Sequence, residues 1–349
     1  MTTPIRVLVV DDSAFVRKVV TEMLNRSDAV EVVGFARDGE EALELVERLQ
    51  PDVITLDLVM PRMNGVEFLR AQNRRRRIPV VVCSIAHESG EMALEAFEAG
   101  AFEFVQKPTA LATDRVYEIA AELVAKVRAA AGAVLTREPA TAAAVVEAEP
   151  ALERPRVFGE TRCDVVVLGI STGGPQALRQ LIPRLPGDFP VPVVMVLHMP
   201  VGYTEMYAQR LDTLAALHVR EAREGDDVRA GSVLLAPAGK HLTFARERGA
   251  VRAHLDDRPA DSQHRPSVDV LFQSAAATFG SRVLGVVMTG MGSDGLLGAG
   301  HIKARGGRVV TEAESSCVVY GMPRVVVEAS LSDRSATLDG MAAAIMGMI

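Results

Sequence analysis

A serine between glycines is the first feature of this sequence that indicates chemistry. Residues 169–173, GISTG, follow an apolar run and precede a helical pattern, as in the G-x-S-x-G motif, whose serine is exposed at a sharp strand-to-helix turn. The glycines allow the tight turn, and the N–H groups that begin the helix can stabilise developing negative charge. Ser171 is therefore a candidate nucleophile, although an ordinary strand-to-helix turn can carry the same five residues.

A serine nucleophile needs a base, and the chain has seven histidines. His198 directly ends the apolar run VPVVMVL, as Ser171 ends its own run, so the two residues are neighbours if these strands pair. We therefore predict that His198 is the base. The other histidines are given other positions. We expect His87, His218, His254 and His301 in loops or helical stretches and His241 at the start of a strand. His264 is a candidate lining residue of the site.

A carboxylate that orients the imidazole completes such a site. Asp294 lies in the glycine-rich run MTGMGSDG, just past another apolar strand. The order Ser171, His198, Asp294 differs from the orders of chymotrypsin, subtilisin and the α/β-hydrolases, so it implies another convergent arrangement. An α/β-hydrolase order would need a histidine after the acid, and His301 is the nearest one.

The same glycine-rich turn has a second interpretation. Residues 290–295 satisfy G-x-G-x-x-G after a strand, and Glu312 lies near the end of the next apolar run, as in a dinucleotide-binding fingerprint. However, Asp294 would then put a negative charge into a loop that must attract a pyrophosphate. Because nucleotide binding also leaves Ser171 and His198 without a role, the sequence favours the hydrolytic site.

A second group of reactive side chains lies in the first third of the chain. Asp11 and Asp12 end the first apolar run, Asp57 ends the third, Ser84 ends the fourth, and Lys107 closely follows the fifth. The carboxyl ends of parallel strands meet at one sheet edge, where three carboxylates are tolerable around a hard cation such as Mg²⁺. Helix capping is the alternative for the first two aspartates, but it does not account for Asp57.

Alternating patterns indicate the elements that position these residues. Five apolar runs alternate with helical patterns over about 125 residues, which predicts a (βα)5 doubly wound parallel sheet. A second α/β pattern begins at Cys163, and we expect a doubly wound, mainly parallel sheet with an antiparallel strand pair near Leu234–Arg252. Its candidate strands are DVVVLGI, VPVVMVLH, SVLLAP, HLTFARE, RVLGVVMT and GRVVT.

The segment between the two patterns is rich in alanine, glutamate and proline. Pro139, Pro150 and Pro155 preclude one continuous helix, and a flexible chain of this length spans roughly 30 Å. We therefore predict a first domain over residues 1–126, a flexible linker over 127–161 and a second domain over 162–349.

Composition excludes several classes of protein. The net charge of −7 disfavours nucleic acid as a partner. Cys83, Cys163 and Cys317 are far apart, without the spacing of a metal site or disulfide framework. No apolar run approaches the roughly 18 residues of a membrane span, and the N-terminal run is interrupted by two aspartates, unlike a signal peptide. We therefore expect a cytoplasmic protein that does not insert into a membrane.

VLVVDDS, ITLDLVMPRMNG, Ser84 and FVQKP together resemble the receiver domain of two-component response regulators, over about residues 4–126. The resemblance implies that Asp57 is the phosphoacceptor. Ile85 departs from the pattern, because such receivers usually carry a small residue there; we expect its branched side chain to narrow access to Asp57 and to affect the dephosphorylation rate. The implied Mg²⁺ ligands are Asp11, Asp12, Asp57 and the Val59 carbonyl. The implied switch residues are Ser84, Phe104 and Lys107.

GISTGGPQAL, VLHMP, LLAPAGKHL, HRPSVDVLF, MTGMGSDG and SSCVVYGMP resemble the catalytic domain of the chemotaxis protein-glutamate methylesterases, the CheB family, from about Cys163 onward. The resemblance implies that Ser171 is the nucleophile, His198 the base and Asp294 the orienting acid. It also implies an oxyanion hole at the Met291 N–H and Thr172, and an esterase that needs no cofactor.

The resemblance further implies the reaction and the partners. The substrates would be γ-methyl glutamate esters on chemoreceptors, with deamidation of certain receptor glutamines as a second activity. A chemotaxis histidine kinase would phosphorylate Asp57, and the receiver would restrain the esterase until then. We expect a monomer that binds no nucleic acid. Two other classes remain as alternatives: a small-ester hydrolase of the α/β-hydrolase kind and a phosphorylation-responsive binding protein.

Overall fold

The computed structural model describes residues 3–84, 90–107, 113–132 and 162–349. The chain divides into two compact units. The first comprises the chain up to Ala133 together with Met199–Tyr207, and the second comprises the remainder. Ile85 and residues 133–161, which include most of the predicted linker, lie outside the described residues.

The first unit contains a parallel sheet with the strand order β2-β1-β3-β4-β5. Its strands are β1 (Ile5–Val10), β2 (Val30–Ala36), β3 (Val53–Leu56), β4 (Val80–Ser84) and β5 (Glu103–Gln106). Its helices are α1 (Ala14–Leu24), α2 (Gly39–Leu49), α3 (Gly65–Arg75), α4 (Gly90–Glu98) and α5 (Thr113–Gly132). This architecture confirms the predicted (βα)5 fold. Helix α5 continues six residues beyond the predicted domain end at residue 126.

Local signals in the sequence set the starts of these helices. The Ser13 side chain caps α1 by accepting the Val16 N–H, and Asn64 begins α3 in a capping box with Glu67. Capping residues satisfy N–H groups that the first helical turn leaves unpaired. Because Ser13 fills this position at α1, Asp11 and Asp12 are not capping residues and remain available for another role.

The second unit is built on a seven-stranded parallel sheet with the order β14-β13-β12-β6-β7-β9-β8, beside a separate antiparallel pair β10-β11. The strands are β6 (Val165–Ile170), β7 (Val193–Leu197), β8 (His218–Glu221), β9 (Ser232–Leu235), β10 (His241–Glu247), β11 (Ala250–Asp256), β12 (Val283–Val287), β13 (Arg308–Glu312) and β14 (Arg334–Ala336). The helices in this part of the sequence are α6 (Gly174–Leu181), α7 (Thr204–Asp212), α8 (Val268–Phe279), α9 (Leu296–Ala304), α10 (Met322–Glu328) and α11 (Leu338–Met346). The beginning of α7, up to Tyr207, is counted with the first unit.

The antiparallel pair lies later in the chain than predicted. Leu234 belongs to β9, which pairs in parallel with β7, whereas β10 and β11 pair from His241 opposite Asp256. His218 and His254, expected in loops or helices, lie on β8 and β11. These strands are short or carry charged residues on one face, so their apolar signal is weak. None of the described helices is long and apolar enough to cross a membrane.

The strand order places three chain segments side by side. Strand β6 is central, with β7 on one side and β12 on the other. Ile170 is in register with Leu197 of β7, and Gly169 with Val287 of β12. The segments that leave these three strands therefore emerge together at the carboxyl end of the sheet, where open α/β sheets place their sites.

Candidate active site

The turn after β6 holds Ser171, which is half-buried, in a tightly fixed backbone. Its N–H donates to the Thr289 carbonyl (3.0 Å), and its carbonyl accepts the Gly174 N–H (2.7 Å). Gly173 precedes α6 with a φ of +79°, in the left-handed region that favours glycine. A Cβ on Gly290 would lie 2.8 Å from the Ser171 Cβ. The nucleophile turn and the glycine-rich turn therefore approach so closely that only glycine fits at residue 290.

His198 continues β7 beside Ser171. Its backbone N–H donates to the Ile170 carbonyl (3.2 Å), which extends the strand pairing by one residue and makes Ser171 and His198 neighbours, as predicted. The Nε2 atom of His198 lies 2.9 Å from Asp294 Oδ2, while Nδ1 is buried without a hydrogen-bond partner in the described chain. With Nε2 engaged by the carboxylate, Nδ1 is the nitrogen available to take a proton.

Asp294 is held by the start of α8 as well as by His198. Its Oδ1 accepts the Ser267 hydroxyl (2.9 Å) and the Asp269 N–H (2.9 Å), and its Oδ2 accepts the Val268 N–H (2.8 Å). The side chain is only 8% exposed. Burial alone would raise the pKa of Asp294, but the bond from His198 and the backbone N–H groups outweigh it and hold the pKa at about 2. Asp294 is therefore ionised at any physiological pH.

Asp269 ties the start of α8 to the glycine-rich turn. Its Oδ1 accepts the N–H groups of Gly295 (2.9 Å) and Gly298 (2.7 Å) at the start of α9. Burial raises the pKa of Asp269. Since the Asp269 backbone also donates to Asp294, this one residue links the orienting carboxylate to the loop that carries it.

The capping residue of α8 has support of its own. The Ser267 N–H donates to Nδ1 of His241 (3.2 Å), so the other ring nitrogen, Nε2, carries the proton and donates to the Pro259 carbonyl (3.2 Å). His241 is completely buried, and burial lowers its pKa. His241 is thus a neutral structural histidine that supports Asp294 through Ser267.

His264, the predicted lining residue, stacks on the His198 ring at a centroid distance of 4.1 Å.

Two backbone N–H groups lie in the turns around Ser171. Among the described residues, neither the Thr172 N–H nor the Met291 N–H donates a hydrogen bond. Thr172 follows the nucleophile, and Met291 follows Gly290, which packs on Ser171. Unpaired N–H groups in such turns can stabilise a tetrahedral oxyanion, so both remain candidate donors for an oxyanion hole.

Dinucleotide binding and an α/β-hydrolase order of the triad, the two other interpretations of these residues, fit the structure poorly. Glu312, the acidic residue of the dinucleotide fingerprint, is 0% exposed and accepts the Thr289 N–H at 2.9 Å, so it cannot reach a ribose. His301, the base of an α/β-hydrolase order, lies on the exposed side of α9. The carboxylate of Asp294 bonds His198 instead.

Sequence reasoning missed Ser267, Asp269 and Thr289. Ser267 had a usable signal, because a serine directly before an apolar helical run is a capping signature. Thr289 had none, since its contacts depend on tertiary structure: its hydroxyl donates to the Thr172 carbonyl (3.0 Å) and accepts the Val319 N–H (3.0 Å).

The first unit brings the predicted acidic residues together. Carboxylate oxygens of Asp11, Asp12 and Asp57 lie within 4.8 Å of one another, and Nζ of Lys107 lies 2.5 Å from Asp11 and 2.8 Å from Asp57. Burial raises the pKa of Asp11. Burial would lower the pKa of Lys107, but the Asp57 and Asp11 carboxylates raise it overall. This all-oxygen donor set fits Mg²⁺.

The remaining predicted receiver residues lie around this cluster. Ser84 ends β4, and its carbonyl accepts the Lys107 N–H (3.0 Å). Phe104 is buried on β5. Val59 follows Asp57 by two residues and is exposed, and its role as a ligand stays a prediction.

Comparison with known proteins decides the family. The model of the response regulator receiver domain matches residues 7–116, and the model of CheB methylesterase matches residues 166–345. The chain belongs to the CheB methylesterase family. This confirms the family resemblance seen in the motifs and the architecture of an N-terminal receiver followed by a methylesterase domain.

Relatives match the CheB-type chain along nearly all of its length. It is 54% identical over 342 residues to "protein-glutamate methylesterase/protein-glutamine glutaminase 5" of Myxococcus xanthus, covering 98% of this chain and 97% of that protein. It is 48% identical to the like-named protein of Symbiobacterium thermophilum, covering 93% and 91%. The crystal structure of the Thermotoga maritima CheB methylesterase catalytic domain is 39% identical, with a TM-score of 0.52, covering 54% of this chain and 99% of that one.

Proposed function

We propose that this chain is a phosphorylation-activated methylesterase that hydrolyses γ-methyl glutamate esters on chemoreceptors, with Ser171 as nucleophile, His198 as base and Asp294 as orienting acid. The bonded pair of His198 and Asp294, beside a serine that is fixed at the end of the central strand, is the observation that carries the proposal. The enzyme acts in the cytoplasm as a monomer, without nucleic acid as a partner.

The first half of the reaction transfers the acyl group to the enzyme. Nδ1 of His198 takes the proton of the Ser171 hydroxyl as the oxygen attacks the ester carbonyl carbon. The negative charge that develops on the carbonyl oxygen is stabilised by the N–H groups of Thr172 and Met291, each donor contributing a few kcal/mol. The C–O bond then breaks, and methanol leaves with the proton from His198.

The second half releases the product. A water molecule gives a proton to Nδ1 of His198 and attacks the acyl carbon, and the bond to Ser171 breaks as the serine oxygen regains a proton. The receptor side chain leaves as a free glutamate carboxylate. A glutamine carboxamide can follow the same route with ammonia as the leaving group, which accounts for a second, glutaminase activity.

Asp294 supports both halves without exchanging a proton. Its pKa of about 2 keeps it ionised, so it accepts the Nε2–H of His198 and stabilises the imidazolium that forms when Nδ1 is protonated. The N–H groups at the start of α8 hold the carboxylate in place. The ring therefore keeps one orientation throughout the reaction, and one tautomer whenever it is neutral.

The receiver supplies the control. Asp57 accepts a phosphoryl group from the chemotaxis histidine kinase, and this modification raises the methylesterase activity. Asp11, Asp12 and Asp57, with the Val59 carbonyl, would hold Mg²⁺, which neutralises phosphoryl charge when bound. Lys107 already lies against Asp57 and can pair with the added negative charge, while Ser84 and Phe104 complete the switch.

Methanol release from methylated receptor membranes tests the proposal. In the full chain, Ser171→Ala and His198→Ala each lower the rate by at least about a thousandfold, since a triad fails as a unit. His301→Ala, the matched histidine on the exposed side of α9, leaves the rate within about twofold. Loss of activity in His301→Ala with retention in His198→Ala would support the α/β-hydrolase order instead.

A further inference from the structure

Glu312 is a buried carboxylate that the proposed reaction does not use. It is the last residue of β13 and is 0% exposed. None of the described cations lies within ion-pair distance of it, and its hydrogen-bond partners are the Thr289 N–H and the Ser316 hydroxyl, both at 2.9 Å. Burying a carboxylate without a cation is costly, so the two hydrogen bonds that it accepts must account for its presence here.

The partner of Glu312 explains what this carboxylate does. Thr289, which is itself buried, contacts the nucleophile turn twice: its carbonyl accepts the Ser171 N–H (3.0 Å) and its hydroxyl donates to the Thr172 carbonyl (3.0 Å). The remaining polar group of Thr289, its N–H, points to Glu312. All three polar groups of Thr289 are therefore bonded. Its hydroxyl also accepts the Val319 N–H (3.0 Å), and Glu312 is the acceptor of its backbone N–H.

We infer that Glu312 is a positioning residue, which acts through Thr289 to hold the Ser171 and Thr172 backbone in the geometry needed for attack and for oxyanion binding. The inference rests on the proposed roles of Ser171 and Thr172. A small rotation of the Thr289 peptide would shift the Ser171 N–H and Thr172 carbonyl together, and displacements of this kind near the reacting atoms cost catalysis steeply. The role needs an acceptor at this position, not a negative charge.

The Ser316 hydroxyl makes Glu312→Gln a conservative variant. Besides donating to Glu312, Ser316 lies 3.3 Å from the Ala313 carbonyl and accepts the Leu338 N–H. If a glutamine amide turns its carbonyl to Thr289 and its NH₂ to Ser316, the serine hydroxyl can donate to Ala313 instead. Glu312→Gln thus keeps the bond to Thr289, whereas Glu312→Ala leaves the Thr289 N–H buried and unpaired.

The test uses the full chain, with methyl-ester turnover and the rate at which a fluorophosphonate labels the serine as two independent measurements. Glu312→Ala is expected to lower kcat and the labelling rate by about tenfold or more, a barrier increase of about 1.4 kcal/mol, with KM within about twofold. Glu312→Gln stays within about threefold of wild type. Glu314→Ala, an exposed carboxylate two residues later, is the control and changes neither rate.

Thr289 supplies a second set of variants that does not depend on Glu312→Ala folding. Thr289→Val keeps the shape of the side chain but loses the hydroxyl, and with it the bond to the Thr172 carbonyl and the bond from the Val319 N–H. Thr289→Ser keeps a hydroxyl that can make both bonds. The valine variant is therefore expected to have a lower kcat, and the serine variant a kcat close to that of wild type. The double variant Glu312→Ala/Thr289→Val loses less than the product of the single losses, because both act on one link.

Three outcomes would overturn the inference. The first is that Glu312→Ala keeps the wild-type kcat and labelling rate. The second is that Glu312→Gln lowers kcat as much as Glu312→Ala does, and the third is that Glu312→Ala raises KM while kcat is unchanged. A melting curve for each variant shows whether a lower rate arises only because less of the protein is folded. Failure of the proposed function is distinguishable, because then Ser171→Ala itself would keep turnover and fluorophosphonate would not label Ser171.

Discussion

The folded state stabilises the ionised form of the Asp294 carboxylate. It accepts three hydrogen bonds at the start of α8 in addition to the bond with His198, and its pKa falls from 3.8 to about 2 although it is buried. A carboxyl group with a lower pKa in the folded than in the unfolded state stabilises the fold at any pH above both values.

This shift predicts a pH-dependent loss of stability in Asp294→Asn. The contribution of the ionised carboxylate is fully present above its unfolded pKa of 3.8 and is lost as the pH falls through about 2; it amounts to roughly 2 kcal/mol, at 1.36 kcal/mol per pKa unit. The stability difference between wild type and Asp294→Asn is therefore expected to narrow from about pH 5 to about pH 2, as measured by urea unfolding.

The control for this prediction is Asp257→Asn, which changes an exposed aspartate. At pH 5 it should change the free energy of unfolding by much less than Asp294→Asn does. A difference for Asp294→Asn that does not change with pH would show that the carboxylate charge contributes nothing to stability.

At the scale of elements, the site depends on how closely two turns approach. The turn after β6 carries Ser171, the turn after β12 carries Gly290, and Thr289 joins them by hydrogen bonds to the backbone of Ser171 and Thr172. Parallel pairing of β6 with β12 sets the distance between the turns. Any side chain that separates them would move the nucleophile away from His198 and the candidate oxyanion donors.

Gly290→Ala tests this close approach. The added Cβ would lie 2.4 Å from the Met322 Sδ and 2.8 Å from the Ser171 Cβ. The methionine end can move, but the serine Cβ cannot do so without shifting the nucleophile. We expect methanol release to fall by about tenfold or more, with a folded protein by circular dichroism.

Gly300→Ala in α9 is the matched control. Its added Cβ would meet only the Leu331 side chain, at 4.0 Å, and replacing a helical glycine by alanine stabilises a helix by roughly 0.5–1 kcal/mol. Activity should remain unchanged and the melting temperature should rise. Equal activity in both variants would mean that the spacing of the two turns does not control the nucleophile.

Much of this chain could be predicted from its sequence, because apolar strands and the reactive residues that end them leave local signals. Ser171 and His198 each directly follow a strand, and Asp294 lies in the turn beyond a third. Strands β8 and β14 could not be predicted, since HVRE and RSA carry too few apolar residues. The link from Glu312 to Thr289 was also invisible, because it joins residues that only the folded sheet brings together.

At the scale of the whole molecule, one chain carries two chemical sites. The acidic cluster with Lys107 belongs to the receiver, and the serine, histidine and aspartate belong to the methylesterase domain. A phosphoryl group on Asp57 changes charge at the first site only, so its effect on the second must be transmitted by the protein. We therefore predict that a substitution at one site can abolish its function without abolishing the function of the other site.

Methanol release from methylated receptors, measured for the full chain with and without a phosphoryl donor, tests this account most directly. Wild type is expected to release methanol faster with the donor. Asp57→Asn keeps the unstimulated rate and gains nothing from the donor, and Ser171→Ala releases no methanol in either condition. Methanol release by Ser171→Ala, or full stimulation of Asp57→Asn by the donor, would contradict the account.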